Sequence, residues 1–202
     1  MQRAFDEIAR LDIDGIQLTP GNLPTPDFAA LVAASSLVTR THHGFVYDAR
    51  RAPVWDATGA CVASSDSIHP PEDAGWVPNG TLPILEVMYP GYALGTGAAV
   101  ERAIADELVL AVDVSHVHIQ RAQGAMDDRV WHRLADYDRI AEVHVSANAG
   151  SHDTHDPLTA DSFGLAWARE RMADVPVVLE CYMHRLSFDE RRRQIDVVRG
   201  TR

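Results

Sequence analysis

Lysine is absent from this 202-residue chain, whose 18 basic residues are all arginine. Chemistry that needs a lysine amine, Schiff-base formation above all, is therefore excluded. Cysteine is scarce. Cys61 and Cys181 are the only two, far apart and without CxxC spacing. A disulfide framework is not expected, and a reducing, cytoplasmic setting is the default expectation. Long apolar runs are missing too: none approaches the roughly 18 residues that a membrane helix needs. The opening Met1-Gln2-Arg3-Ala4-Phe5-Asp6-Glu7 is amphipathic rather than signal-like. Positive charge is outnumbered, with 29 acidic residues, a net charge of −11 and an isoelectric point near 5.2. That balance disfavours DNA as a partner, because gripping a phosphate backbone requires a surplus of Arg and Lys.

What is present is the composition of an ordinary globular protein, 46% apolar and 23% charged. The length suits one domain, so residues 1–202 are expected to form a single unit. Phe5, Ile8, Ala9 and Leu11 have helical spacing over 2–11, and Ile16-Gln17-Leu18 is a short strand ended by Thr19-Pro20-Gly21-Asn22. Asp27 opens a helix through Ala34, and Leu37 to Thr41 is the next strand. Residues 44–82 read mostly as loop, with a strand near 62–69. Regular alternation then resumes, with strands at 82–88, 108–114, 141–146 and 175–181. Helices are expected at 96–106, 127–137, 159–172 and 187–198.

Strands alternating with helices predict an α/β fold with a parallel sheet, and the number of units predicts a (β/α) barrel of the TIM type. Eight strands usually need about 250 residues. Here seven are found behind an opening helix, so the barrel is expected to be incomplete, with its first strand missing. A barrel lacking a strand exposes an edge, which predicts either self-association into a homo-oligomer or the N-terminal helix folded over the gap.

The chemistry sits at the C-terminal ends of the apolar runs. Leu82 to Leu85 ends in Glu86, Leu108 to Val112 in Asp113, Ile140 to Val143 in His144, and Val175 to Leu179 in Glu180. Their spacings, 113−86 = 27, 144−113 = 31 and 180−144 = 36, match one strand, one helix and two loops each. Strand ends at this face are where such folds build their sites. One strand-end acid is ordinary, but four in succession mixing carboxylate with imidazole point to a divalent cation, Zn, Mn, Fe or Co. His116 shares the pocket of Asp113 only if the chain turns straight after Asp113. Asp153 and His155 lie in the polar loop 148–157, where both can converge on a cation; the bland alternative there is a solvated Asx-turn. Of the adjacent pair His42 and His43, strand alternation sends one inward, and His43 is favoured. His69 ends the next run. His118 and His132 read as structural or surface residues and His184 as a rim residue. The tryptophans read as packing, with Trp76 alone near substrate.

At these residues the chain resembles the xylose-isomerase-like barrel superfamily, which includes sugar phosphate isomerases and epimerases and endonuclease IV-type nucleases. The isomerase branch implies one metal on Glu86, Asp113, His144 and Glu180, with His116 contacting substrate. It further implies that Glu86 and Glu180 exchange a proton with a carbon beside a carbonyl of a small, sugar-like substrate. That chemistry is the favoured expectation. The nuclease branch implies up to three metals, bringing in His43, His69, His116, Asp153 and His155 as well. Multinuclear iron oxidases that modify peptides have a similar arrangement with an Asp-Thr-His motif. A degenerate barrel serving as a binding subunit is the remaining alternative.

Overall fold

In the computed structural model, which describes residues 2–19, 26–43, 64–70 and 83–201, seven strands form one all-parallel sheet. Their spatial order is their chain order. The strands are β1 (Gly15–Leu18), β2 (Val38–His43), β3 (Ser67–Ile68), β4 (Ile84–Val87), β5 (Leu110–Asp113), β6 (Ile140–Val145) and β7 (Val177–Leu179). The helices are α1 (Gln2–Ile8), α2 (Pro26–Ala33), α3 (Gly97–Ala105), α4 (Val114–Ala122), α5 (Asp128–Ala135), α6 (Leu165–Arg171) and α7 (Phe188–Arg199). The sheet curls into a nearly closed α/β barrel of the TIM type. Across its interior the Gln17 amide of β1 lies 3.4 Å from Glu142 Oε1 of β6. No helix among the described residues is long and apolar enough to cross a membrane.

Strand alternation divides the burial into two chemistries. Leu85, Val87, Leu110, Val112, Val143 and Val145 join Val100, Val117, Leu134 and Leu165 of the helices in one apolar core outside the sheet. Each such side chain contributes about 1.5–3 kcal/mol on burial. The intervening positions, Glu86, Asp113, Glu142 and His144, are equally buried but polar. A filled TIM barrel packs its interior with branched apolar residues; here the interior is lined by buried polar and charged ones.

The expected strands and most of the expected helices are present, with shifted ends. Helix α4 was not anticipated. Its Val-Ser-His-Val-His-Ile run lacks a clean amphipathic period, but Asp113 caps it by accepting from the N–H groups of Ser115 at 2.6 Å and His116 at 3.3 Å. The expected helix 159–172 forms only from Leu165. Ahead of it the Thr159 N–H donates to Ser162 Oγ at 2.9 Å, and Gly164 enters the helix at φ +73°. Most of the loop expected over 44–82, together with Trp55, Cys61 and Trp76, lies outside the described residues.

Among the described residues β7 and β1 do not pair. Helix α1 and its following turn bridge across this side. Glu7 pairs with Arg191 of α7 at 2.6 Å, Arg10 lies over the Phe188 ring at 4.6 Å, and Asp12 pairs with Arg199. These contacts join the segment leading into β1 to α7, the helix that follows β7.

Candidate metal centre

Four strands deliver Glu86, Asp113, His144 and Glu180 to one point at the C-terminal face. One ligand atom from each lies within 4.8 Å of the other three. Atoms sharing one cation at 2.0–2.2 Å stand up to about 4.4 Å apart, so a small contraction at most would make these four a ligand set. His144 Nδ1 is 3.1 Å from Glu86 Oε1 and 3.3 Å from Glu180 Oε1. Asp113 spends Oδ1 on the α4 cap, while its Oδ2 is buried with His116 Nε2 3.5 Å away. A buried carboxylate oxygen needs such a compensating charge.

Glu86 belongs to a second group of the same spread, with His42 and His69. Its Oε2 lies 3.3 Å from His42 Nε2 and 2.8 Å from His69 Nε2. The two groups thus stand on opposite oxygens of one carboxylate.

The sharp turn into α4 swings His116 back beside Asp113, as the reading of Asp113 to His116 required. Its Nδ1 is 3.1 Å from the Val87 carbonyl, and its Nε2 is 3.2 Å from Asp153 Oδ2. Asp153 Oδ2 also lies 3.0 Å from His155 Nε2. The loop carrying these two is held by an antiparallel bridge between Ala147 and Asp156. His155 itself takes φ +49°, a conformation uncommon outside glycine.

The structure brings His42, not the favoured His43, into this cluster. His43 is buried on the other side of β2, with Nε2 2.9 Å from Asp66. Nothing in Val38-Thr39-Arg40-Thr41 marks which parity faces inward, since neither alternate set is apolar. Glu142 lies outside the expected set. It sits two residues before His144 and shares its face, a relation legible from strand alternation. Its Oε1 accepts from His144 Nε2 at 2.9 Å, and its Oε2 pairs with Arg40 at 2.8 Å. This grouping turns His144 Nδ1 toward Glu86 and Glu180, the carboxylate–histidine arrangement that orients metal-binding imidazoles. His42, Glu142 and His144 also satisfy ligand spacing, but with both oxygens engaged Glu142 is placed to orient.

His132 is exposed, and His184, in the 3₁₀ turn Met183–Arg185, stands at the rim with its ring 5.5 Å from that of Tyr182. His118 lines a side cavity. Trp131 and Trp167 pack edge to face at 5.3 Å.

The electrostatics follow from charges crowded out of water. Burial opposes the charged form of His116, but Asp113, Asp153 and Glu86 outweigh it and raise the imidazole to about 10. His144 is likewise raised, burial being overcome by Glu180, Glu86 and Glu142. Burial pushes Glu86 up, yet His69, His42 and His144 hold it well below the usual carboxylate range. Glu180 goes the other way, raised by burial and by Glu86 and Asp113 against the pull of His144. Burial also works against ionised Glu142, but His144, Ser67 and Arg40 lower it to about 2. In this state protons on His116 and His144 balance the carboxylates, a role a divalent cation can take over.

No family model matches this chain, and no curated protein matches it.

Proposed function

We propose that this protein is a divalent-metal enzyme holding more than one cation at the barrel mouth, with Glu86 as the carboxylate they share. The membership of Glu86 in two ligand groups, one on each oxygen, carries this reading. Asp113, buried and compensated by the imidazole of His116, adds a further charged oxygen to the first group. The oxygen–nitrogen donor set suits Zn, Mn, Fe or Co. Bound in pairs, such cations polarise a substrate oxygen, acidify a water and stabilise both oxygens of an in-line displacement. The reaction this favours is hydrolysis of a small phosphoester. Glu86, Asp113, His144, Glu180, His42 and His69 would hold the ions, and Glu142 would keep the His144 ring turned toward them. His116, tied to Val87 and Asp153, would orient substrate or join Asp153 and His155 in a third ligand set. The net charge of −11 opposes a nucleic-acid polyanion and favours a small molecule. The resemblance to endonuclease IV-type barrels agrees with the ligand set rather than with that substrate.

The test is metal-depleted protein reloaded with Zn²⁺ or Mn²⁺ and assayed on p-nitrophenyl phosphate and bis(p-nitrophenyl) phosphate. Metal-dependent turnover that Glu86→Gln abolishes is expected. No turnover from fully loaded protein would contradict hydrolysis. Oxygen consumption by iron-loaded protein would point instead to the oxidase relatives.

One observation favours a second reading. The surroundings push Glu86 and Glu180 in opposite directions, down and up, and carboxyls separated in this way suit an acid/base pair. On this reading the enzyme is an isomerase or epimerase, one glutamate removing and the other returning a proton beside a carbonyl. Deuterium uptake from solvent into an aldose or ketose, dependent on Glu180, would establish it.

A further inference from the structure

Strand β3 places Ser67 opposite His42 of β2. The two side chains share the inward face, and Ser67 Oγ lies 2.9 Å from His42 Nδ1. The same hydroxyl hydrogen-bonds the carboxylate of Glu142, whose Oε1 accepts from His144 Nε2 at 2.9 Å. A line of hydrogen bonds therefore runs from His42 through Ser67 and Glu142 to His144. It joins an imidazole of one ligand group to the imidazole of the other, and all four residues are buried. The two rings also meet edge to face, 5.0 Å between centres.

The direction of each hydrogen bond follows from Glu142. It is ionised at neutral pH, so it only accepts, at about four lone-pair sites. Four donors reach it: His144, Ser67, Arg40 Nε at 2.8 Å and the Gln17 amide at 3.4 Å. Ser67 spends its single proton there and can meet His42 only as an acceptor. His42 must then donate from Nδ1. That leaves Nε2, 3.3 Å from Glu86 Oε2, as the nitrogen with which it can bind a cation. On His144 the roles are reversed, with Nε2 donating to Glu142 and Nδ1 facing Glu86. Without the Ser67 oxygen the His42 Nδ1–H would be buried and unpaired, a costly state. Moving that proton to Nε2, where it can be donated to Glu86, would occupy the nitrogen and the oxygen that the second cation needs.

We propose that Ser67 is a positioning residue that passes the hold of Glu142 on to His42, so that one buried carboxylate fixes the imidazoles of both ligand groups in opposite tautomers. The consequence for cations rests on the reading of two groups sharing Glu86. The relay itself is a property of the chain's own residues.

The experiment is imidazole nitrogen NMR of the whole protein with labelled histidine at pH 7, metal-free and during titration with Zn²⁺. In the wild type, His42 should carry a proton on Nδ1 and His144 one on Nε2, both exchanging slowly with water. Both protons should persist as zinc binds. Ser67→Ala should speed exchange at His42 alone and weaken one zinc by about tenfold, the low end for partners of this kind, leaving His144 as the internal control. Ser67→Thr, which keeps the hydroxyl, should restore both. If a variant loses its native circular dichroism, the wild-type spectra decide by themselves. His42 without a slowly exchanging Nδ1 proton, or a folded Ser67→Ala with unchanged exchange and zinc affinity, would overturn the proposal. Both protected protons without zinc binding keep the relay and remove the cation reading. Two bound zinc ions with His42 bare at Nδ1 do the reverse.

Discussion

Asp113 does two jobs with two oxygens. Oδ1 caps α4 and so aims His116, and Oδ2 pairs with the Nε2 of that same imidazole at 3.5 Å. Around it, protonated His116 and His144 hold the carboxylates together. This gives the metal-free protein a defined pH response. His116 has a folded pKa of about 10 against an ordinary 6.5, so its stabilisation is complete below about 6.5 and is lost as pH rises toward 10. Thermal unfolding of metal-free protein should therefore show Tm falling between pH 6.5 and 9.5, and Zn²⁺ should remove most of that fall by replacing the protons. A flat metal-free profile would mean that the imidazole is neutral in the native state. Glu142 invites a second test. Glu142→Ala should weaken metal affinity by about 10–100-fold through loss of His144 orientation, and Glu142→Gln, which keeps an acceptor, should recover much of it. Equal loss in both variants would make Glu142 a ligand rather than an orienting group.

The elements show why the sequence was readable in some places and not others. Strands β4 to β7 were legible because their outward residues are Leu and Val and their inward ends are acid or imidazole, a contrast that survives without coordinates. The ligand set Glu86, Asp113, His144 and Glu180 was legible for the same reason. Helix α4 was not, because a single side-chain cap starts it and Ser115, His116 and Gln120 are buried alongside Val114, Val117 and Ile119, which blurs the apolar period. β2 offered no apolar parity, so His42 and His43 could not be told apart. The bend before α6 depends on backbone geometry. Gly164 at φ +73° has its missing Cβ only 2.6 Å from Val114 Cβ. Gly164→Ala should cost roughly 1–3 kcal/mol in denaturant unfolding from strain and overlap; no loss would mean that α6 can shift freely against α4. By contrast α7 carries its own start signal, Ser187 and Glu190 in a reciprocal capping box.

For the whole molecule, the described strands leave one side, between β7 and β1, unpaired. There the segment leading into β1 reaches α7, through Glu7–Arg191, Arg10 over Phe188, and Asp12–Arg199. The polar interior that results is affordable because the apolar core lies entirely between sheet and helices. Deleting residues 1–11 should expose the β7–β1 side and produce either a lower Tm or concentration-dependent association in sedimentation. An unchanged, monomeric protein would mean that the gap needs no cover.

The central claim is a shared carboxylate between cations at the barrel mouth. It is tested most directly by elemental analysis of protein purified without chelator or histidine tag, wild type beside Glu86→Ala. Two or more divalent ions per chain are expected, with Glu86→Ala losing more than one of them while circular dichroism stays native. One ion or none in the wild type, or full loading in Glu86→Ala, would contradict it.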